Sequence, residues 1–352
     1  MGWVIRIFHR WLGLIAALFW ILQASTGVLI VFRWEIDDAT LAGARSSFDA
    51  NSLATSIETV MRERGPVSSA WASSNAADRF DIYYTDLSGA ERIRRVDAAG
   101  RNLRDRPASA VLVKGAIFDT LSEFHQSLLG GATGTWVIRI SGLLLLTNLI
   151  MGLRLVWPRA GLWSRAMFFH PKGPRRIVLW HRLLGLWGVF PALLLVMAGL
   201  LLTYADDLER WLAVVRTDPA PISGPSNPLI TAGTALSIAL SRYPRATVSA
   251  IQMPTAAQRW YRVRLRRESD FRRNWGLTAV VVDASNGAVI DDTPAPLPNT
   301  RRGMLDLLYP FHTGQIAGWP GRVFVLCVGG WVITMITLGL VSWARRRRQQ
   351  PQ

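Results

Sequence analysis

The sequence predicts an α-helical integral membrane protein: four transmembrane helices in two parallel repeats, with two small periplasmic α+β modules. Three observations carry that expectation. Four apolar stretches are long enough to cross a bilayer, arginines crowd one side of them, and motifs of the first half recur in the second.

Half of the 352 residues are apolar, 16 of them are Trp, and the apolar ones gather in blocks. A helix needs about 20 residues to cross roughly 30 Å of hydrocarbon. The blocks divide the chain into a cytoplasmic N-terminus with helix one (1–33, apolar over 11–32), a first periplasmic module with a His-bearing segment (34–135) and helix two (136–157). A basic cytoplasmic loop (158–180), helix three (181–204), a second periplasmic module with its own His-bearing segment (205–321), helix four (322–343) and a basic cytoplasmic tail (344–352) follow. The first apolar run exceeds the core of a signal peptide and no A-x-A site follows it, so it reads as a retained helix.

Orientation follows from short basic flanks. Arg6 and Arg10 precede helix one; Arg154, Arg159, Arg165, Lys172, Arg175, Arg176 and Arg182 crowd the link between helices two and three; Arg345 to Arg348 follow helix four. All lie on one side, which the positive-inside rule makes the cytoplasm. The expected location is a bacterial inner membrane with both termini cytoplasmic. The net charge of +16 therefore reads as topology signal and contact with the lipid bilayer, with no nucleic acid as partner. Cys327 is the one cysteine, which excludes disulfides, Cys-based zinc sites and iron–sulfur clusters within the chain. No C-x-x-C-H is present for covalent haem, so metal chemistry falls to His or carboxylates.

The repeat is legible residue by residue. His9 to Leu14 (HRWLGL) matches His181 to Leu186 (HRLLGL), and Gly27 matches Gly199 in the same register. Phe124-His125 matches Phe311-His312, with Gly131, Gly134, Gly142 and Gly152 falling on Gly318, Gly321, Gly329 and Gly339. The first module shows an amphipathic helix over 51–64, opened by Asn51 as its N-cap, and strands near 67–72, 79–85 and 91–96. The second shows a helix over 231–242, strands over 248–253, 260–266 and 277–282, and a hairpin in VVVDASNGAVI turning at Asn-Gly. Each module alone has a thin core, so the two are expected to pack together or onto the membrane surface.

Four of the five histidines occupy equivalent positions. His9 and His181 stand at the cytoplasmic side; His125 and His312 stand at the outer side. That gives two pairs at different depths. An ionisable residue in a membrane costs free energy that something must offset. Neutral imidazole is the ordinary axial ligand of haem iron, glycines admit a flat macrocycle, and Arg10 and Arg182 suit its propionates. The expected cofactor is haem b, two per chain. The competing reading has interfacial histidines satisfied by headgroups and water. A zinc site is weaker, since Cys is absent from these segments and no close His pair lies within a helix. His170 has no repeat partner and reads as a loop residue. Arg262, Arg264, Arg266, Arg267, Arg272 and Arg273 form either a basic patch for an anionic ligand or headgroups, or a charged, solvated strand face.

These residues resemble the PepSY-associated transmembrane family. The matching stretches are HRWLGL at 9–14, FHQSLLGG at 124–131 with Gly142 and Gly152 beyond it, LVWPR at 155–159, WHRLLG at 180–185, and the Phe311-His312 motif running to Arg322. The outside modules look like PepSY domains, the hairpin with VVDASNGAVI most of all. The family includes inner-membrane di-haem reductases of ferric siderophores, and the resemblance places its ligand histidines at His9, His125, His181 and His312. Its longer members carry a cytoplasmic flavin reductase. The cytoplasmic stretches here (1–10, 158–180 and 344–352) are too short for a nucleotide-binding unit, so a quinol or a separate cytoplasmic reductase is the expected donor. The expected acceptor is a ferric siderophore. Two other functions stay open: a non-enzymatic binding or regulatory membrane protein, and a transporter of parallel repeats. Against the transporter, the spans hold no Asp or Glu and no break beyond Pro191.

Overall fold

The computed structural model describes residues 2–41, 48–73, 78–109, 112, 115–169, 171–173, 175–214, 230–271 and 275–348. In chain order the elements are α1 (Gly2–Ile15), α2 (Ala17–Ile30), α3 (Arg33–Ala39), α4 (Ala50–Glu63), β1 (Val67–Ala72), β2 (Arg79–Thr85), β3 (Glu91–Asp97) and β4 (Asn102–Pro107). Then come α5 (Ile117–Ser127), α6 (Gly131–Val156), α7 (Trp163–Met167), α8 (Arg176–Leu202), α9 (Ala205–Trp211) and α10 (Ala232–Arg242). The chain ends with β5 (Thr247–Gln252), β6 (Trp260–Arg266), β7 (Thr278–Asp283), β8 (Val289–Thr293), α11 (Arg301–His312), a 3-10 turn (Gln315–Ala317) and α12 (Gly318–Arg348). Two compact units result: a helical one of Met1–Val31, Leu121–Ala205 and Phe311–Gln352, and a sheet unit of Phe32–Thr120 and Asp206–Pro310.

In the helical unit, α6, α8 and the run Gln315–Arg348 are each long and apolar enough to cross a membrane. The pair α1 and α2 passes the same test only together, and it is bent by 64°. The first expected span is therefore not one straight helix. It breaks at Ala16, between a segment that carries Arg6, His9 and Arg10 and one with no charged residue. Large apolar side chains face outward: Leu143 and Ile150 of α6, Leu194 of α8 and Phe324 of α12 are exposed. Helices that are apolar all round need an apolar surrounding, which for an outward face is lipid. Inside, α8 packs on α6 and α12, α12 on α2, and α1 on α6. Two arginines satisfy helix-end carbonyls that have no partner within their own helix. Arg139 donates to the Thr203 carbonyl, with its guanidinium over the rings of Trp136 and Tyr204, and Arg322 donates to the Val31 carbonyl.

The sheet unit is one antiparallel sheet in the order β4-β3-β2-β1-β5-β6-β7-β8. Strands expected in two modules form one continuous layer, joined where Ser69, Ala70 and Trp71 pair with Gln252, Ile251 and Ala250. Helices α4 and α10 cover one face over a shared core that includes Ile57, Phe80, Ile82, Leu236, Ile251 and Leu265. Merging the two thin cores offsets the small buried area of each. Asp49 caps α4, accepting from the amides of Asn51 and Ser52, so the cap precedes the expected Asn51. Thr231 caps α10 through the Thr234 amide, and Gly287 at φ 77° makes the Asn-Gly turn between β7 and β8. Strand β4 was not expected. Its NLRDRP sequence alternates charge rather than apolarity, because its charged groups are satisfied by other charges. Arg104 and Arg95 both hold Asp37 of α3, Arg79 holds Asp38, and Arg106 holds Asp119.

Candidate functional site

The helical unit gathers the four histidines into two pairs. The rings of His9 (α1) and His181 (α8) lie 6.3 Å apart centre to centre, tilted by 59°. Those of His125 (α5) and His312 (α11) lie 6.4 Å apart at 30°. These are the pairs expected from depth. His170 lies outside the described residues, as do Arg272 and Arg273.

The spacing has a chemical meaning. A metal–imidazole bond is about 2 Å long, so two rings facing one ion have centres about 6 Å apart. Both pairs meet that separation. Among the described residues no group of three or more His, Cys, Asp or Glu is placed to hold a bare ion.

Backbone carbonyls orient the rings. His9 Nδ1 donates to the Asn148 carbonyl at 3.1 Å and His312 Nδ1 to the Leu195 carbonyl at 2.9 Å. His125 Nδ1 lies 3.1 Å from both the Gln23 carbonyl and the Thr26 hydroxyl. The Gln23 side-chain amide in turn donates to the His125 carbonyl. His181 Nδ1 is buried and has no hydrogen-bond partner among the described residues. A carbonyl only accepts, so the bonded Nδ1 atoms carry the proton and Nε2 keeps its lone pair.

Local sequence explains how His125 and His312 are delivered. After His125 the chain turns through Leu128 and Leu129 at φ 53° and 59°, a left-handed conformation that is costly for a residue with a Cβ. After His312 the corresponding turn uses Gly314 at φ 74°, where a Cβ would collide with the Gly321 carbonyl.

Around His9 and His181 lies a cavity of about 620 Å³, within the usual range for cofactor pockets of roughly 300–1,000 Å³. Arg10 and Arg182 line it while remaining exposed. The sequence reading missed Arg6, Arg346 and Arg347 as lining residues, because their position beside apolar blocks marked them only as topology signals. Trp331 closes one wall, donating its indole N–H to the Leu184 carbonyl.

A second cavity, of about 400 Å³, lies in the sheet unit, with Trp34, Trp71, Tyr83, Arg95, Arg264 and Trp275 in its lining. Arg95 is buried there against Asp81 and Asp37. Burial opposes its charge, but the two carboxylates outweigh it and raise its pKa. Burial first, then the charge of Asp81, pushes the Tyr83 phenol up to about 12. Of the basic residues on β6, Arg264 stands over the Trp71 ring and Arg262 over Trp260, while Arg267, just beyond it, pairs with Asp270.

A bundle of long apolar helices with paired histidines inside it, and a separate antiparallel sheet, defines a helical membrane protein. The chain belongs to the PepSY-associated TM region family, whose match runs over residues 6–346. No curated protein matches it.

Proposed function

We propose that the protein is an inner-membrane carrier of two b-type haems that moves electrons from the cytoplasmic side to a periplasmic acceptor. In this reading the bent pair α1–α2 makes one crossing with α6, α8 and α12 as the other three, in two repeats. The sheet unit is two PepSY-like modules fused edge to edge. The observation that carries the proposal is the geometry of the histidines: two pairs, with ring centres 6.3 and 6.4 Å apart, close enough for each pair to share one metal ion.

His9 and His181 would hold one haem, His125 and His312 the other. Bound haem supplies a one-electron couple that hydrocarbon lacks. The chain's own residues do the rest. The Nδ1–carbonyl bonds leave Nε2 of His9, His125 and His312 its lone pair, Arg10 and Arg182 would neutralise propionates, and apolar walls would keep water out. Electrons would enter from a quinol or a separate cytoplasmic reductase. The acceptor that best fits the family is a ferric siderophore, whose hard oxygen ligands hold Fe²⁺ less tightly than Fe³⁺. The Trp- and Arg-lined cavity of the sheet unit is the proposed place for it.

The test is anaerobic stopped-flow spectroscopy of dithionite-reduced protein mixed with ferric siderophores and a ferrous chelator. Fast haem oxidation with a matching ferrous signal is the expected result. Haems that stay reduced with every siderophore but are oxidised by a quinone would make the protein a quinone-linked haem carrier. A protein that purifies colourless and takes up no haem would favour a binding role centred on the sheet-unit cavity.

A further inference from the structure

One arrangement recurs at all four histidines, and it involves glycine. A Cβ built on Gly152 would stand 3.0 Å from His9 Cε1, on Gly27 2.9 Å from His125 Cε1, on Gly199 2.6 Å from His312 Cε1, and on Gly339 3.7 Å from His181 Cε1. The carbonyls bonded to Nδ1 belong to Asn148, Gln23 and Leu195, and Met335 stands at the equivalent place beside His181. Each is the residue four positions before its glycine.

We propose that Gly27, Gly152 and Gly199 are positioning residues, each forming with the carbonyl four residues earlier a seat that sets the tautomer and direction of one histidine, while Gly339 leaves looser room beside His181 without that hydrogen bond. The physical basis is helix geometry. A carbonyl at i−4 accepts the amide of residue i and has a second lone pair, which the side chain of residue i normally covers. With glycine at i, that flank is bare. An imidazole from another helix can lie edge-on there and donate Nδ1–H to the same carbonyl. Each seat lies in the same half of the chain as its histidine: α6 and α2 seat His9 and His125, α8 seats His312, and the looser glycine beside His181 is on α12, also in its own half. Each half thus carries one ring of each pair, and the pair forms where the halves meet.

Gly142 of α6 serves as a control. A Cβ on Gly142 would meet the flexible end of Leu200 at 3.1 Å, with no histidine near it.

The consequence for haem rests on the proposed function, but the seat can be tested without haem. In haem-free, ¹⁵N-histidine-labelled full-length protein in lipid, solid-state NMR should show Nδ1 protonated and Nε2 unprotonated at His9, His125 and His312. Nε2-protonated rings at these sites would overturn the proposal. With haem bound, the oxidised protein's low-spin EPR signals and the two optical midpoints give the second readout. Gly199→Ala and Gly27→Ala should displace the component that His125→Ala removes, and Gly152→Ala the component that His9→Ala removes. Gly339→Ala should change least, and Gly142→Ala should leave both components in place. Unaltered signals in Gly199→Ala, Gly27→Ala and Gly152→Ala, in protein that binds two haems, would refute the seat. A colourless wild type would sink the haem reading instead, and the NMR arm would still decide the seat.

Discussion

At the scale of single residues, the histidines make the sharpest predictions. His9→Ala and His181→Ala should remove the same spectral component, and His125→Ala and His312→Ala the other, because the rings pair in that way. If His9→Ala and His125→Ala abolish one shared component, the pairing is wrong. The pyridine haemochrome assay should return about two haems per chain, one for each pair. The ring planes differ, 59° in one pair and 30° in the other. Two distinct low-spin EPR signals are therefore expected, and one signal of double intensity would contradict the geometry. The four histidines and their glycines could be read from the sequence, because the repeat aligns them. The carbonyls of Asn148, Gln23, Leu195 and Met335 could not. A backbone atom carries no letter, and only the helix crossing brings it to a ring.

At the scale of elements, α3 is held to the sheet by charge. Arg95 joins Asp37 of α3 to Asp81 of β2 with little exposure of any of the three side chains. Removing one member of a buried ion pair costs about 3–5 kcal/mol, so Arg95→Ala should destabilise the sheet unit by roughly that amount. Leu236→Ala on α10, in the shared core, should cost about 2–5 kcal/mol. Chemical denaturation followed by Trp fluorescence measures both; a loss under 1 kcal/mol at Arg95 would mean that the network is not holding α3. The strands with apolar alternation matched expectation closely: β1, β2 and β6 keep their bounds. The elements that escaped are those specified by charge or by packing. Arg104, Asp105 and Arg106 carry no apolar alternation, yet they form β4. The bend after Ile15 has no Pro or Gly at it, so the apolar run looked like one straight span. Helix α3 had no local signal, because Asp37 and Asp38 find their arginines far along the chain.

At the scale of the whole molecule, the expected topology is open to direct test. A reporter active only in the periplasm should work when fused after Asp105 or Asp291 and fail after Lys172. Activity at Lys172 would invert the orientation or change the number of crossings. The sheet adds a constraint of another kind, on the order of synthesis. Strand β1 has β2 on one side and β5 on the other. Its neighbour β2 is translated almost at once, whereas Ser69 must wait for Gln252, after α6 and α8 have been made. During that interval β1 is an open edge with unmatched amides and carbonyls, the kind of surface that recruits other strands. A nascent chain stopped after α6 is therefore expected to aggregate or to occupy a chaperone. A half-chain ending before α8, expressed together with the remainder, should instead be rescued, because the missing edge partner is then supplied in trans.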